Sequence, residues 1–188
     1  MTSSTIKILK FGGASIKDAA SIRNAAAILS QYRGEAIVVV ISAMGKTTNS
    51  LEAITNAYFT RNGDAVELLQ RLKHEHFQIL TELFFENVHP IFDDVNNTFV
   101  EIDWILEDEP HEKYDYLYDQ IVSVGETVAS KIVSAYLNYK NISAYWLDVR
   151  DCIKTDNTYR EGKVEWVITE KNIRAKIPFL LKDHFVLT

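Results

Sequence analysis

Two hydrophobic periods divide this chain. Ile6-Lys7-Ile8-Leu9-Lys10-Phe11 is short, partly alternating and closed by Gly12-Gly13, which predicts a strand running into a tight loop. Ile16, Ala19, Ile22, Ala26 and Leu29 then recur at helical spacing up to Tyr32, with Gly34 as the stop. Ala36 to Ile41 is largely β-branched and apolar on both faces, as in a central strand of a sheet covered on both sides. A second turn, Ser42-Ala43-Met44-Gly45-Lys46-Thr47-Thr48-Asn49, leads into a helix carrying Leu51, Ile54 and Tyr58 that stops around Arg61-Asn62-Gly63. Two successive strand–turn–helix units predict a parallel sheet.

From Asp64 to about Asn87 the positions Val66, Leu69, Leu72, Phe77, Leu80, Leu83 and Phe84 are amphipathic with helical period, and a more acidic series follows from Ile91 to Leu106. Together they predict a helical insertion at about 64–110. Leu117, Ile121, Val122, Val128, Ile132 and Leu137 form one further apolar series from Tyr114 to Tyr139, with Gly125 inside it. A strand is predicted at Ala144 to Leu147, a loop from Asp148 through Asn157, a short strand at Val164 to Ile168, a short helix from Glu170, and a last element at Phe185-Val186-Leu187. Pro90, Pro110 and Pro178 mark loop positions, and no repeat or linker divides the chain. The fold class is α/β, a three-layer sandwich around a mainly parallel central sheet.

The 188 residues suit one domain, and hydrophobic and charged fractions of 47% and 24% are ordinary globular values that argue against disorder. A net charge of -6 and a pI near 5.4 disfavour nucleic acid, whose phosphate backbone needs clustered Lys and Arg. A nucleotide is a different case, since its few phosphates can be held by one lysine, a metal ion and a handful of backbone amides. The single cysteine, Cys152, rules out an intrachain disulfide and fits a reducing cytoplasm. Met1 to Lys10 has no signal-peptide run, and no segment reaches the ~20 apolar residues of a membrane span, so the chain is read as soluble and unexported.

Within this frame, Lys10-Phe11-Gly12-Gly13-Ala14-Ser15 places a lysine at the end of a strand and two glycines where a backbone can approach a ligand. The loop amides and the following helix N-terminus favour anions, and Lys10 can set its charge against β- and γ-phosphates. The alternative is a plain glycine turn with a surface lysine. Gly45-Lys46-Thr47 is not a P-loop, because that pattern needs glycine five residues earlier, where Val40 stands. Ser42, Thr47, Thr48 and Asn49 nevertheless fall where side chains reach the crevice at strand ends, or else serve as helix caps. In Ser123-Val124-Gly125-Glu126, Glu126 can hold a substrate ammonium, or can simply sit in a helix N-terminal dipole. Asp148-Val149-Arg150-Asp151, with Thr155 and Asp156, is a weaker candidate after a strand. His74 and His76 resemble a metal pair, but i and i+2 point to different helix faces, so both are read as surface residues and no metal ligand is assigned. The run Glu107-Asp108-Glu109 reads as a solvated loop.

Taken in order, these motifs resemble the aspartate kinases. Lys10-Phe11-Gly12-Gly13-Ala14-Ser15 is similar to the family's KFGGTS opening, with Ala14 where threonine is commoner; Ser42 to Asn49 resembles its second loop, and Ser123-Val124-Gly125-Glu126 its SxGE motif. The resemblance covers nearly the whole chain. It implies an amino-acid kinase-like fold and ATP- and magnesium-dependent phosphorylation of the aspartate side-chain carboxylate, the first step of lysine, threonine and methionine biosynthesis. Lys10, Phe11, Gly12, Gly13 and Ser42 would line the ATP phosphates, with Lys10 catalytic, and Thr48 and Glu126 would bind L-aspartate. It further implies a cytoplasmic homo-oligomer for the full-length protein. Residues 1–188 would then be the N-terminal part of the catalytic domain, without the second glycine-rich loop, the base-binding strands or the regulatory ACT domains. Such a truncated piece would be a binding fragment with no turnover, and a kinase for another small carboxylate is the remaining alternative.

Overall fold

The computed structural model describes residues 5–85 and 88–188. Among them, Lys7–Phe11 (β1), Ile37–Ile41 (β2), Ala144–Trp146 (β3) and Phe185–Leu187 (β4) form one sheet in the order β1-β2-β4-β3, with every neighbouring pair parallel. Parallel strands need crossovers, and the helices supply them. Ala19–Ser30 (α1) joins β1 to β2. Thr47–Thr60 (α2), Ala65–Leu83 (α3), Ile91–Glu107 (α4), Tyr114–Val122 (α5) and Val124–Tyr139 (α6) lie between β2 and β3, and Trp166–Leu180 (α7) lies between β3 and β4. The strand C-termini therefore gather on one edge of the sheet, where open α/β folds bind ligands.

Side-chain alternation on the strands splits the interior in two. Ile37, Val39 and Ile41 of β2 join Phe185 and Leu187 of β4 in the main core, together with the apolar faces of α1, α2, α3, α4 and α6. Val38 and Val186 face the other way and pack with Leu147, Cys152, Ile177, Leu180 and Leu181. The sheet thus has helices on both faces, as the sequence predicts, but unevenly: α7 covers β4 and leaves Ile8 on edge strand β1 69% exposed.

The insertion forms the two helices expected, and they are integral to the core. Leu69, Leu72, His76, Leu80 and Leu83 form the buried stripe of α3, and Ile91, Val95, Thr98, Phe99 and Ile102 that of α4. The helices pack on each other, α3 also on α2 and α4 on α6. Each fully buried leucine or isoleucine there stabilises the fold by roughly 1.5–3 kcal/mol.

Three expectations change. The single apolar series Tyr114 to Tyr139 is two helices, broken at Ser123. Val164 to Ile168 is not a strand: only Val164 makes an isolated antiparallel bridge to Thr155, and Trp166 already opens α7. Strand preference in β-branched and aromatic residues is a preference for packing against a pleated neighbour. Here Thr169 instead donates its N–H to the Glu165 carbonyl in helical register, and its hydroxyl accepts from Lys154 N at 3.0 Å. Pro178 lies inside α7, in its last turn, where it has no N–H to offer the carbonyl four residues back.

Candidate active site

The two loops that leave β1 and β2 are built as a pair. Phe11 and Ile41 are register partners, and beyond them Ser42 N donates to Phe11 O at 3.1 Å and Gly45 N to Gly13 O at 3.1 Å. Gly13 is what permits this approach: a Cβ there would lie 2.6 Å from the Ala43 carbonyl oxygen and 3.2 Å from that of Gly45. Gly45 turns the second loop with φ +50, a left-handed conformation that glycine adopts without strain. Gly12 differs from Gly13, since a Cβ there would meet nothing within 4 Å. The open side of the loop is therefore at Gly12.

Lys10 stands on the outer face of β1, exposed, and makes no ion pair among the described residues. Phe11 is half-buried against the main core and contributes its carbonyl to the inter-loop bond. Residues Gly13–Ser15 form a short 3-10 turn, and α1 begins only at Ala19. Asp18 already caps that helix, its carboxylate accepting from Ser21 N at 2.7 Å, and hydrogen bonding by the Ser21 side chain, followed by that of its backbone N–H, holds the carboxyl below its usual range. The helix N-terminus expected beside the glycine loop is thus displaced along the chain and already capped.

Ser42 is half-buried one residue past β2, and Thr48 is half-buried as the second residue of α2. Neither Thr47 nor Thr48 is a helix cap: the cap position is Lys46, without a side-chain bond. Glu126 is in the first turn of α6, so it lies in that helix's positive end, and it also points outward to the second loop, Oε1 accepting from Ala43 N at 3.4 Å. Gly125 makes room for this meeting, as a Cβ there would come within 3.0–3.2 Å of Leu51, Ala43 and Thr47 side chains.

Beyond Glu126 a cavity of about 160 Å³ opens at the ends of β3 and β4, lined by Glu126, Ser130, Trp146, Asp148, Arg150 and Thr188. Val149–Asp151 is a 3-10 turn. Arg150 holds Asp148 through Nε (2.9 Å) and a terminal nitrogen (2.6 Å), and its backbone N–H donates to the same carboxylate at 2.9 Å. The side-chain bond from Arg150, first, keeps the Asp148 carboxyl below its usual range. Thr155 and Asp156 shape a separate loop, Asp156 Oδ1 accepting from Thr158 N and Lys163 N. The acidic run is exposed as expected, with Asp108 O accepting from the Tyr58 hydroxyl and Glu109 pairing with Arg61 at 2.8 Å.

Of the two histidines, His74 is exposed as expected, but His76 is only 2% exposed. Its position was legible, because 76 falls four residues after Leu72 and four before Leu80 in the apolar stripe of α3. Its nitrogens reach Leu72 O at 2.9 Å and Thr47 Oγ1 at 3.3 Å.

A parallel sheet with paired loops at its carboxyl edge defines the class, and a family model described as the amino acid kinase family matches residues 5–187. The chain belongs to the amino acid kinase family. Within it, the chain is similar to aspartokinases: it is 32% identical to aspartokinase 1 of Arabidopsis thaliana chloroplasts over 149 residues, 75% of this chain and 25% of that protein. It is 29% identical to the lysine-sensitive aspartokinase 3 of Escherichia coli K12 over 163 residues, 86% of this chain and 34% of that protein. Its fold matches the crystal structure of E. coli aspartokinase III in complex with aspartate and ADP, with a TM-score of 0.86 at 24% identity, covering 98% of this chain and 40% of that one. The chain thus spans a quarter of the first of these curated relatives and about a third of the second. Among the described residues no helix is long and apolar enough to cross a membrane.

Proposed function

We propose that this chain is the N-terminal part of the catalytic domain of an aspartate kinase, which transfers the γ-phosphoryl group of ATP to the side-chain carboxylate of L-aspartate. The observation that carries this reading is the meeting of three motifs at one sheet edge: the glycine loop bonded to the Ser42–Thr48 loop, and Glu126 turned onto that second loop. The names of the curated relatives and of the matching crystal structure, all aspartokinases, support the choice of acceptor.

In this reading Gly12, Gly13, Phe11 and Ser42 present backbone and hydroxyl groups to the phosphates, and Lys10 sets a positive charge where negative charge develops on the transferring group. The missing Cβ at Gly12 and the Lys10 ammonium, outside the ion pairs of the described residues, fit a polyphosphate. Magnesium enters as the counter-ion of ATP, neutralising phosphate charge, and no residue of this chain is assigned to hold it. Glu126 takes the aspartate ammonium by a charge-assisted hydrogen bond and Thr48 orients the substrate beside it. The aspartate carboxylate oxygen then attacks the γ-phosphorus as the bond to the ADP oxygen breaks, and catalysis rests on positioning and electrostatics. The full-length protein would be a cytoplasmic homo-oligomer at the head of lysine, threonine and methionine synthesis.

Because the chain spans so little of its relatives, the 188 residues alone are proposed to bind phosphate and part of aspartate without turnover. Glu126→Ala in a form that turns over is expected to raise the KM for aspartate by about tenfold or more, the cost of one charge-assisted bond of about 1.5–3 kcal/mol, with little change in the KM for ATP. The reverse pattern in steady-state kinetics contradicts the assignment.

A further inference from the structure

His76 is a buried ionisable group that the proposed chemistry does not use. It comes from the helical insertion, yet its ring ends at the second loop. We propose that His76 is a positioning residue for the aspartate site, holding Thr47 so that Thr48 and the turn before Glu126 are set in fixed relation; this rests on the aspartate-kinase reading.

The hydrogen-bond inventory fixes the arrangement. A carbonyl oxygen only accepts, so Nδ1, 2.9 Å from Leu72 O, carries the ring proton. Nε2 is then an acceptor, and the Thr47 hydroxyl donates to it at 3.3 Å. Phe99 closes one side of the ring edge-on, with centroids 5.3 Å apart. Burial is the leading cause holding the imidazole pKa below its usual value, so the ring stays neutral near pH 7 and keeps its acceptor; the bond to the Leu72 carbonyl and then the charge of Glu75, adjacent on α3, oppose this, and Lys17 and Lys46 line the same cavity from the loops.

Thr47 is constrained from its other side as well. Its methyl carbon lies 3.2 Å from where a Cβ on Gly125 would sit, facing the turn that delivers Glu126, and its N–H donates to Met44 O at 2.8 Å. With the hydroxyl committed to His76 and the methyl to Gly125, one χ1 rotamer satisfies both. Thr48 follows directly in the chain. A single imidazole therefore ties the insertion to both groups assigned to aspartate.

The test uses the 188-residue chain, with aspartate as the probe, followed by amide NMR and hydrogen exchange in His76→Leu, His76→Gln and Thr47→Val. In His76→Leu, aspartate affinity is expected to fall about tenfold, as for one buried hydrogen bond with an orphaned partner, and amides 43–48 to exchange about tenfold faster while those of α1 and the rest of α6 stay unchanged. His76→Gln restores an acceptor and is expected to stay within about threefold of the original in both readouts. Thr47→Val keeps the shape and loses the donor, so it should reproduce the loop-confined change even if His76→Leu does not fold. Unchanged affinity with unchanged loop exchange overturns the proposal, and so does equal acceleration over the whole chain, which marks a merely structural histidine. If the unsubstituted chain shows no aspartate-dependent shifts at Thr48 or Glu126, the aspartate reading of this chain fails, and the exchange pattern alone decides the positioning role.

Discussion

Replacing Lys10 with alanine lowers kcat by roughly 10²–10³-fold in a form of the protein that turns over, the size expected for losing one preorganised contact to the developing charge. The position of Lys10 argues for an effect of that size. β1 is held in register against β2, Lys10 opposite Val40, so the base of the side chain is fixed by the sheet. Its ammonium is exposed and outside the ion pairs of the described residues, whereas Lys7, three residues earlier, is paired with Glu35. A lysine spent on a structural partner would show a stability change instead. The measurement is single-turnover and steady-state kinetics on Lys10→Ala, and an unchanged kcat removes Lys10 from the catalytic role.

Gly13→Ala is the second large effect, and its cause is steric. The added methyl would lie 2.6 Å from the Ala43 carbonyl oxygen, a backbone atom that cannot swing aside as a side chain would. The two loops must separate, and the Gly45 N to Gly13 O bond stretches with them. Expected are a stability loss of about 1–3 kcal/mol, as for other overpacked sites, and a fall in kcat of two orders of magnitude or so, because both loops proposed to face the phosphates move together. Gly12→Ala is the internal comparison. Its Cβ meets open space and its φ of -78 is ordinary for alanine, so denaturant unfolding should move by no more than about 0.5 kcal/mol, while a rise in the KM for ATP reports the ligand that fills that space. Equal destabilisation by the two substitutions contradicts the division of labour between these glycines.

Much of this layout was written in the sequence, and the exceptions share a cause. The β-branched run at 36–41 identified the central strand, and the stripe at Leu69, Leu72, Leu80 and Leu83 identified the insertion, because period alone carries that information. The same stripe encloses His76, and the i, i+2 spacing to His74 puts the two rings on different faces without putting both on the surface: one of them falls on the buried face. Trp166 to Ile168 misleads in the opposite way: residues that favour strands open a helix here, with Thr169 N–H bonded to the Glu165 carbonyl and only Val164 making a bridge. The apolar spacing carries across the break at Ser123, which shows in the sequence only as the alternative that places Glu126 at a helix N-terminus; in the folded chain Gly125 packs there closely on Ala43, Thr47 and Leu51. Within the site, the three motifs were found as separate words. Their joining, by the Gly13–Gly45 bond and by Glu126 on Ala43, depends on pairs more than thirty residues apart and appears only in the folded chain.

The most direct measurement is coupled ADP release on adding aspartate, glutamate or N-acetylglutamate to MgATP with a form extended through the rest of the kinase domain, beside the 188-residue chain. Aspartate-dependent release by the extended form, none by the 188 residues and little with the other two acids is the expected result. Release that prefers glutamate or N-acetylglutamate, or that is absent with aspartate, contradicts the assignment of this chain to an aspartate kinase.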